Sequence, residues 1–389
     1  MRYILFIILL LVFGCQNTTM NKKTDLAAET EIEEVKIKDN CDGIDLQLER
    51  TYNRSELMEQ LARQDFLDTI NKLPLEEKLI ALLKNKDEIT YLTLSNMKLR
   101  KLPKEVFEFK NLVALNISGN NFENKEKLVE DLAKIPNLKI LNLIWSKLTK
   151  LPDNIELLAN LEVLSLASNN ISFLSEDLGK LTKLKLLGLS NNKKLKDLPA
   201  SIRNLKCLQL LNVSGTGLTR LREEISENTE LVIINANASK IETIPENIGN
   251  LTKLITLNIA ANKIVNVPES IGELSELQSL SLGSNEIFEL PKSLSKLKKV
   301  QYISLDFNRF KEFPTETFGL NGCYNLWVHN NSFLTIPNEV GNMKSLTHLL
   351  VDHEIISDEN IEAIKIVNPE LRVIREDAQK YVKGRKRKN

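Results

Sequence analysis

Charge of neither sign is in excess in this chain: Lys and Arg total 52, and so do Asp and Glu. A nucleic-acid binder should carry a clear basic surplus, so that class is set aside. Glycine is sparse, at 14 residues, and nowhere forms a loop that could cradle phosphate. No nucleophile stands beside a base, and no pair of acids marks a pocket. These absences argue against an enzyme, a cofactor and a small-molecule substrate. The apolar run at the start, Ile4 to Phe13, is too short for a bilayer core of about 30 Å. The four cysteines, Cys15, Cys41, Cys207 and Cys323, show no metal-ligand spacing. Aromatic residues are only 5% of the chain, so the places where they collect stand out.

What is abundant is leucine at a fixed interval. Units begin at Ile89, Leu112, Leu138, Leu161, Leu184, Leu208, Leu231, Leu254, Leu277, Val300, Cys323 and Leu346, about twelve in all. The spacing is 23 residues, with three extra within Lys125–Pro136 and one extra around Lys193–Leu195. Each unit reads L-x-x-L-x-L-x-x-N-x-L, as in Leu254, Leu257, Ile259, Asn262 and Ile264. The step of two between Leu257 and Ile259 marks a short strand with one face buried. Such a unit cannot bury its apolar face alone and must stack on its neighbours. Eight prolines, at 103, 152, 199, 245, 268, 291, 314 and 337, recur in the second half of the unit. Proline fixes φ and lacks a backbone donor, which suits short extended or 3₁₀ structure rather than long helix.

This pattern resembles the leucine-rich repeat family in its 23-residue form with a Leu-Pro pair, over roughly seven tenths of the chain. The resemblance implies an α/β solenoid with a curved parallel sheet on the concave face. It also implies that the position-9 asparagine turns inward and bonds neighbouring backbone, as an amide with both donors and an acceptor can. The ladder would comprise Asn120, Asn169, Asn192, Asn262, Asn285, Asn308 and Asn331, with Met97, Ser146, Thr216, Ser239 and Glu354 in the other units. Apolar stripes at Leu57, Leu61, Phe66, Leu67 and Ile70, and at Leu75, Leu79, Leu82 and Leu83, predict a helical N-terminal cap over 44–88. The repeats fill 89–368, and 369–389 holds a last strand and a basic tail.

The first 14 residues, ending Val12-Phe13-Gly14-Cys15, resemble a bacterial lipoprotein signal, with Cys15 the residue to be lipidated. The alternatives are an ordinary signal peptide in which Cys15 is incidental and an uncleaved anchor. More than one acyl chain gives stable anchoring. Residues 15–43 read as anchor and polar linker. Gln16 differs from the aspartate that holds some such lipoproteins in the inner membrane, so the outer membrane is the expected address. Cys207 and Cys323 are expected to be buried small hydrophobes, and Cys41 to be free or linked to another molecule.

Positions 3, 5 and 7 of each unit face outward from the concave sheet and are the usual contact positions in the family. In the middle units they read as small and uncharged: Ser165, Ala167, Asn212, Ser214, Asn258, Ala260, Ser281 and Gly283. Two places differ. The third unit carries Ile140, Ile144 and Trp145, and the last units carry Tyr302, Asp306, Phe307, Tyr324, Trp327 and His329. Exposed aromatics beside His and Asp fit a protein-binding patch, and a glycan less well. A solvated polar rung, or a metal held by His329 with Asp306 or Asp352, are the competing readings, and no metal is expected. The function implied is a membrane-anchored binding protein with a protein partner, for adhesion or host interaction. The alternative is a periplasmic scaffold without an external ligand.

Overall fold

The computed structural model describes residues 74–376. The signal segment, Cys15, the linker, the part of the cap before residue 74 and the basic tail lie outside the described residues. Thirteen parallel strands form one sheet in strict sequence order. They run from β1 (Tyr91–Thr93), β2 (Ala114–Asn116), β3 (Ile140–Asn142), β4 (Val163–Ser165), β5 (Leu186–Gly188) and β6 (Leu210–Asn212) to β7 (Ile233–Asn235), β8 (Thr256–Asn258) and β9 (Ser279–Ser281), then β10 (Tyr302–Ser304), β11 (Asn325–Trp327), β12 (His348–Asp352) and β13 (Arg372–Glu376). Register is kept by the repeat: Leu141 pairs with Leu164, and Leu164 with Leu187. The inward residues of one unit, Leu254, Leu257, Ile259 and Ile264, are completely buried. Burying each such side chain contributes about 1.5–3 kcal/mol, and all of them belong to one continuous core.

The returning half of most units is a single 3₁₀ turn. Each of the eight prolines accepts, through its carbonyl, the N–H three residues on, as Val106 to Pro103 at 3.2 Å and Ile271 to Pro268 at 3.1 Å. Proline at φ −61 to −71 therefore opens Lys104–Glu108, Ala200–Asn204, Glu269–Glu273 and their like. The unit with three extra residues differs: it closes its turn into a helix, α2 (Lys125–Leu132), capped by the Asn124 side chain on the Lys127 N–H at 2.7 Å. Helix α1 (Leu75–Leu83) leads into β1, and α3 (Asp358–Val367), capped by Ser357, precedes β13.

Each of the seven ladder asparagines makes the same bonds. Asn285 Nδ2 donates to Ile259 O at 3.1 Å and Leu282 O at 2.9 Å, and its Oδ1 accepts from Ile264 N at 3.1 Å. Three groups that the turn strips of partners are thus satisfied by one buried amide. The run breaks in the middle. Thr216 bonds the Val213 carbonyl of its own unit at 2.7 Å and reaches forward to Ser239, but makes no bond back to the fifth unit among those of the described residues. The same junction holds the one-residue insertion. On its flank Asp197 accepts from Arg220 at 2.7 Å and Arg222 at 2.8 Å. Burial pushes that carboxyl up, but the two guanidinium bonds outweigh it and hold the group below its ordinary range.

Position 8 of the first eleven units adopts left-handed backbone. Gly119 and Gly215 fill it without strain, Asn96, Asn191 and Asn330 at low cost, and Trp145 (φ 57) and Phe307 (φ 53) against steric resistance. Cys323 is a free, buried thiol, pushed up to about 12 by desolvation. Cys207 corrects the expectation from sequence. It is only half-buried and it is disulfide-bonded, because it sits on the loop that closes the fifth unit rather than at a core position.

Asn285→Ala leaves the Ile264 N–H buried without its partner, while the Ile259 and Leu282 carbonyls keep the Asn262 and Asn308 amides, so it should cost about 1–3 kcal/mol, read from the urea midpoint. Asn285→Ser should recover part of the loss, and identical midpoints for all three proteins would remove the ladder from the energetics. Trp145→Asn, by contrast, should stabilise the fold by about 1 kcal/mol, because Asn tolerates the left-handed region far better than an indole-bearing residue. A lowered midpoint would mean that the indole packs more favourably than its backbone strain costs.

Candidate protein-binding face

The sheet turns one face to the core and the other outward on the concave side. At its C-terminal end the outward residues are built from β10, β11 and the turns that follow. Tyr302 sits at position 3 of its unit, and Trp327 at position 5 of the next. Their rings meet edge to face, 5.1 Å between centroids at 85°. The pairing of Ser304 with Trp327 across β10 and β11 sets that distance. Ser281 and Ser304 bond the Tyr302 hydroxyl, and burial raises its pKa despite those bonds. Ser304 also donates to Asp306, so tyrosine, serine and aspartate form one chain of polar contacts beneath the indole.

Behind this pair, Phe307 meets His329 edge to face at 5.3 Å. Tyr324 donates its hydroxyl to Gln301 at 3.3 Å. Asp352 is not free to bind a ligand: both carboxylate oxygens accept the Asn330 N–H, at 2.9 and 2.8 Å. The aspartate thereby takes over the role of a ladder rung at the end of the solenoid and steadies a left-handed residue. Among the described residues no three His, Cys, Asp or Glu side chains gather as a metal site.

The residues expected to contact a partner divide by exposure. Tyr302, Asp306, Phe307, Tyr324 and Trp327 are half-buried and reach the surface. His329 is buried, covered in part by Phe307, and so acts as a support rather than a contact. Ile144 is likewise buried, against Ala167, while its neighbour Trp145 is 67% exposed. The left-handed backbone at Trp145 swings the indole off the sheet, and nothing in the sequence period signals that turn.

The middle of the face departs from the sequence reading at one position. Positions 5 and 7 are small and polar as expected. Position 3, however, carries Ala114, Ile140, Val163, Leu186 and Leu210, which pack as a second apolar cluster separate from the core. Reading every 23rd residue from Ala114, with the two insertions allowed for, would have found it.

A model of a leucine-rich repeat region matches residues 169–262, and a leucine-rich repeat model matches 250–310. An internalin (inlF) of Listeria monocytogenes is similar to the chain in structure, with a TM-score of 0.59 and 23% identity, over 78% of this chain and 96% of its own. The plant peptide hormone receptor RGFR1, solved in complex with RGF2, has a TM-score of 0.56 and 27% identity, over 71% of this chain and 46% of the receptor. The functional domain of InlJ from Listeria monocytogenes has a TM-score of 0.54 and 19% identity, over 75% of this chain and 64% of its own. No curated protein sequence matches. The repeat period, the asparagine ladder, the sheet of thirteen parallel strands among the described residues and these likenesses agree: the described residues form a leucine-rich repeat solenoid, and residues 169–310 match leucine-rich repeat models.

Proposed function

We propose that this solenoid is a protein-binding scaffold whose partner docks on the concave face at β10–β12. The observation that carries the reading is the Tyr302–Trp327 pair, two large aromatics on a face whose neighbouring outward positions are Ser279, Ser281 and Gly283. Tyrosine and tryptophan dominate binding hot spots because they offer large, rigid contact area with a polar handle. Asp306 beside them supplies a charge that favours a partner with a basic or amide donor at that point. Leucine-rich-repeat regions are interaction scaffolds by design of the fold, and the plant receptor that is 27% identical to the chain was solved with its partner bound. Two further parts of the reading rest on sequence alone. They are a lipid on Cys15 that holds the protein to a bacterial envelope, and display of the repeats for adhesion or host interaction.

The contact patch is tested by affinity capture with wild type and with Tyr302→Ala/Trp327→Ala. The expected result is a protein retained by wild type and lost by the double variant, with affinity for the purified partner falling at least about 30-fold, the equivalent of a 2 kcal/mol hot spot. Equal affinity would move the binding site elsewhere on the solenoid.

Protease added to intact cells tests display. Loss of the 300–350 epitope with a periplasmic marker spared supports an outward-facing binder. Protection until the outer membrane is opened replaces it with an envelope scaffold.

A further inference from the structure

The strands are parallel and in register, so the turn after each one leaves the same edge of the sheet. Backbone bonds hold these turns in line. The N–H at position 10 donates to the carbonyl at position 11 of the unit before, as Lys263 to Ile241, Glu286 to Ile264 and Arg309 to Ile287, each at 2.8 Å. At position 13, Lys150 and Phe173 bridge neighbouring units in the same sense. Positions 10, 12 and 13 thus form one rim along the solenoid. In the first eleven units, with the inserted residue of the fifth counted, that rim holds 13 Lys and Arg against 6 Asp and Glu. The chain as a whole carries equal numbers of each sign, so the rim takes more than its share of positive charge.

The rim also spends its charge differently. On the convex side ions cancel from unit to unit: Lys206 with Glu227, Lys253 with Glu230, Lys296 with Glu273 and Lys299 with Glu276, at 2.6 to 3.4 Å. On the rim the arginines are paired, as Arg220 with Asp197 and Arg309 with Glu286. But Lys98, Lys147, Lys196, Lys240, Lys263 and Lys311 are exposed and make no ion pair among the described residues. Among these lysines stand Trp145 at the head of its turn, Phe173 at position 13, and Val265, Phe288 and Leu334 at position 12. These five are half of the large apolar side chains that the described residues expose, and Leu334 is 81% exposed. Apolar groups gathered on one side of a soluble protein mark a contact surface. A soluble polyanion would engage the lysines and leave Phe288 and Leu334 in water. An anionic bilayer engages both, because its headgroups attract lysine and its interface takes up Trp, Phe and Leu.

We propose that this rim, from Trp145 to Leu334, rests on the surface of an anionic lipid bilayer. Eight unit steps of about 4.8 Å give a contact roughly 38 Å long. The lysine stems lie along the apolar side chains and carry their ammonium groups to the lipid phosphates, while Trp145, Phe173, Phe288 and Leu334 enter the interface. Because the strands end at this rim, the sheet stands on edge over the membrane, and the concave face opens sideways to a partner. Neither the aromatic contact patch nor a lipid on Cys15 enters the argument, so failure of either leaves the rim in place.

The chain has two tryptophans, so Trp327→Phe leaves Trp145 as the sole indole and a reporter on the rim. The full chain with this change, produced without lipidation, is mixed with phosphatidylcholine vesicles and with vesicles that also contain phosphatidylglycerol. On the anionic vesicles Trp145 emission should shift to the blue and be quenched by brominated acyl chains, and on the neutral ones it should not. Unchanged emission on vesicles that retain the protein, as when its first residues alone insert, overturns the proposal. Lys147→Gln/Lys240→Gln/Lys263→Gln/Lys311→Gln should weaken partitioning to anionic vesicles by at least about tenfold, and Phe288→Ser/Leu334→Ser should weaken it severalfold. All six side chains are exposed, so the urea midpoint should hold in both variants. Loss with the lysine variant alone, matched by loss of retention on immobilised heparin, assigns the rim to a soluble polyanion and overturns the lipid contact.

Discussion

No unit of this chain can fold alone, and that constraint governs everything else in it. Twenty-three residues yield a three-residue strand, one tight turn and a handful of leucines, far too little apolar surface to offset the entropy of ordering them. Stacking supplies the missing burial, but it also creates a problem. The turn that carries the chain from strand to convex side leaves backbone groups inside, away from water. The asparagine at position 9 resolves this by bonding its own turn and the previous one together. Hydrophobic burial makes the stack favourable, and the amide ladder fixes its register. A stack held by leucine alone could slide by a residue, and the ladder could not.

That logic explains what could be read from sequence. Leucine spacing, position-9 asparagine and recurrent proline each answer to one local requirement, so the sheet, the ladder and the 3₁₀ side were all legible. The three extra residues within Lys125–Pro136 were visible as an irregularity, though not as a helix, because the change from one turn to two depends on packing of Leu128 and Val129. Left-handed backbone at position 8 was hidden for a different reason. Gly, Asn, Ser, Ala, Trp and Phe all occupy it, so no residue type announces it. The aromatic patch was visible as composition, but the burial of His329 and the capture of Asp352 by Asn330 depend on where the solenoid ends. The apolar column escaped notice because each of its members looks like an ordinary strand leucine or valine. Only alignment of units shows that these residues point away from the core.

The concave face is thus two surfaces rather than one. Its N-terminal half is apolar and buried, with a charged rung alongside. Its C-terminal half is small and polar until the aromatic pair at β10 and β11. A single curved sheet offers both because outward positions are unconstrained by stacking: once the inward leucines and the ladder are satisfied, each unit is at liberty to carry whatever its place requires. The repeat is strict where neighbours touch and permissive where they do not. This is why the family's fold is so much easier to recognise than the role of any member.

The break in the ladder at Thr216 gives the solenoid a mechanical grain. Where the rung is an asparagine, separating two units means pulling its amide off one carbonyl and one N–H of the preceding unit as well as parting the sheet. Between the fifth and sixth units the amide bonds lie on the convex flank instead, where Asn228 Nδ2 donates to the Ile202 and Leu205 carbonyls at 2.9 and 2.8 Å, beside the ion pairs of Asp197 and Arg203. Under tension along its axis the protein would be gripped at that line from its convex flank rather than from the concave turn, so the sheet side of the junction would open before the convex side. Cys207 stands beside the same junction, so its disulfide adds a covalent hold where the ladder of the concave turn is missing.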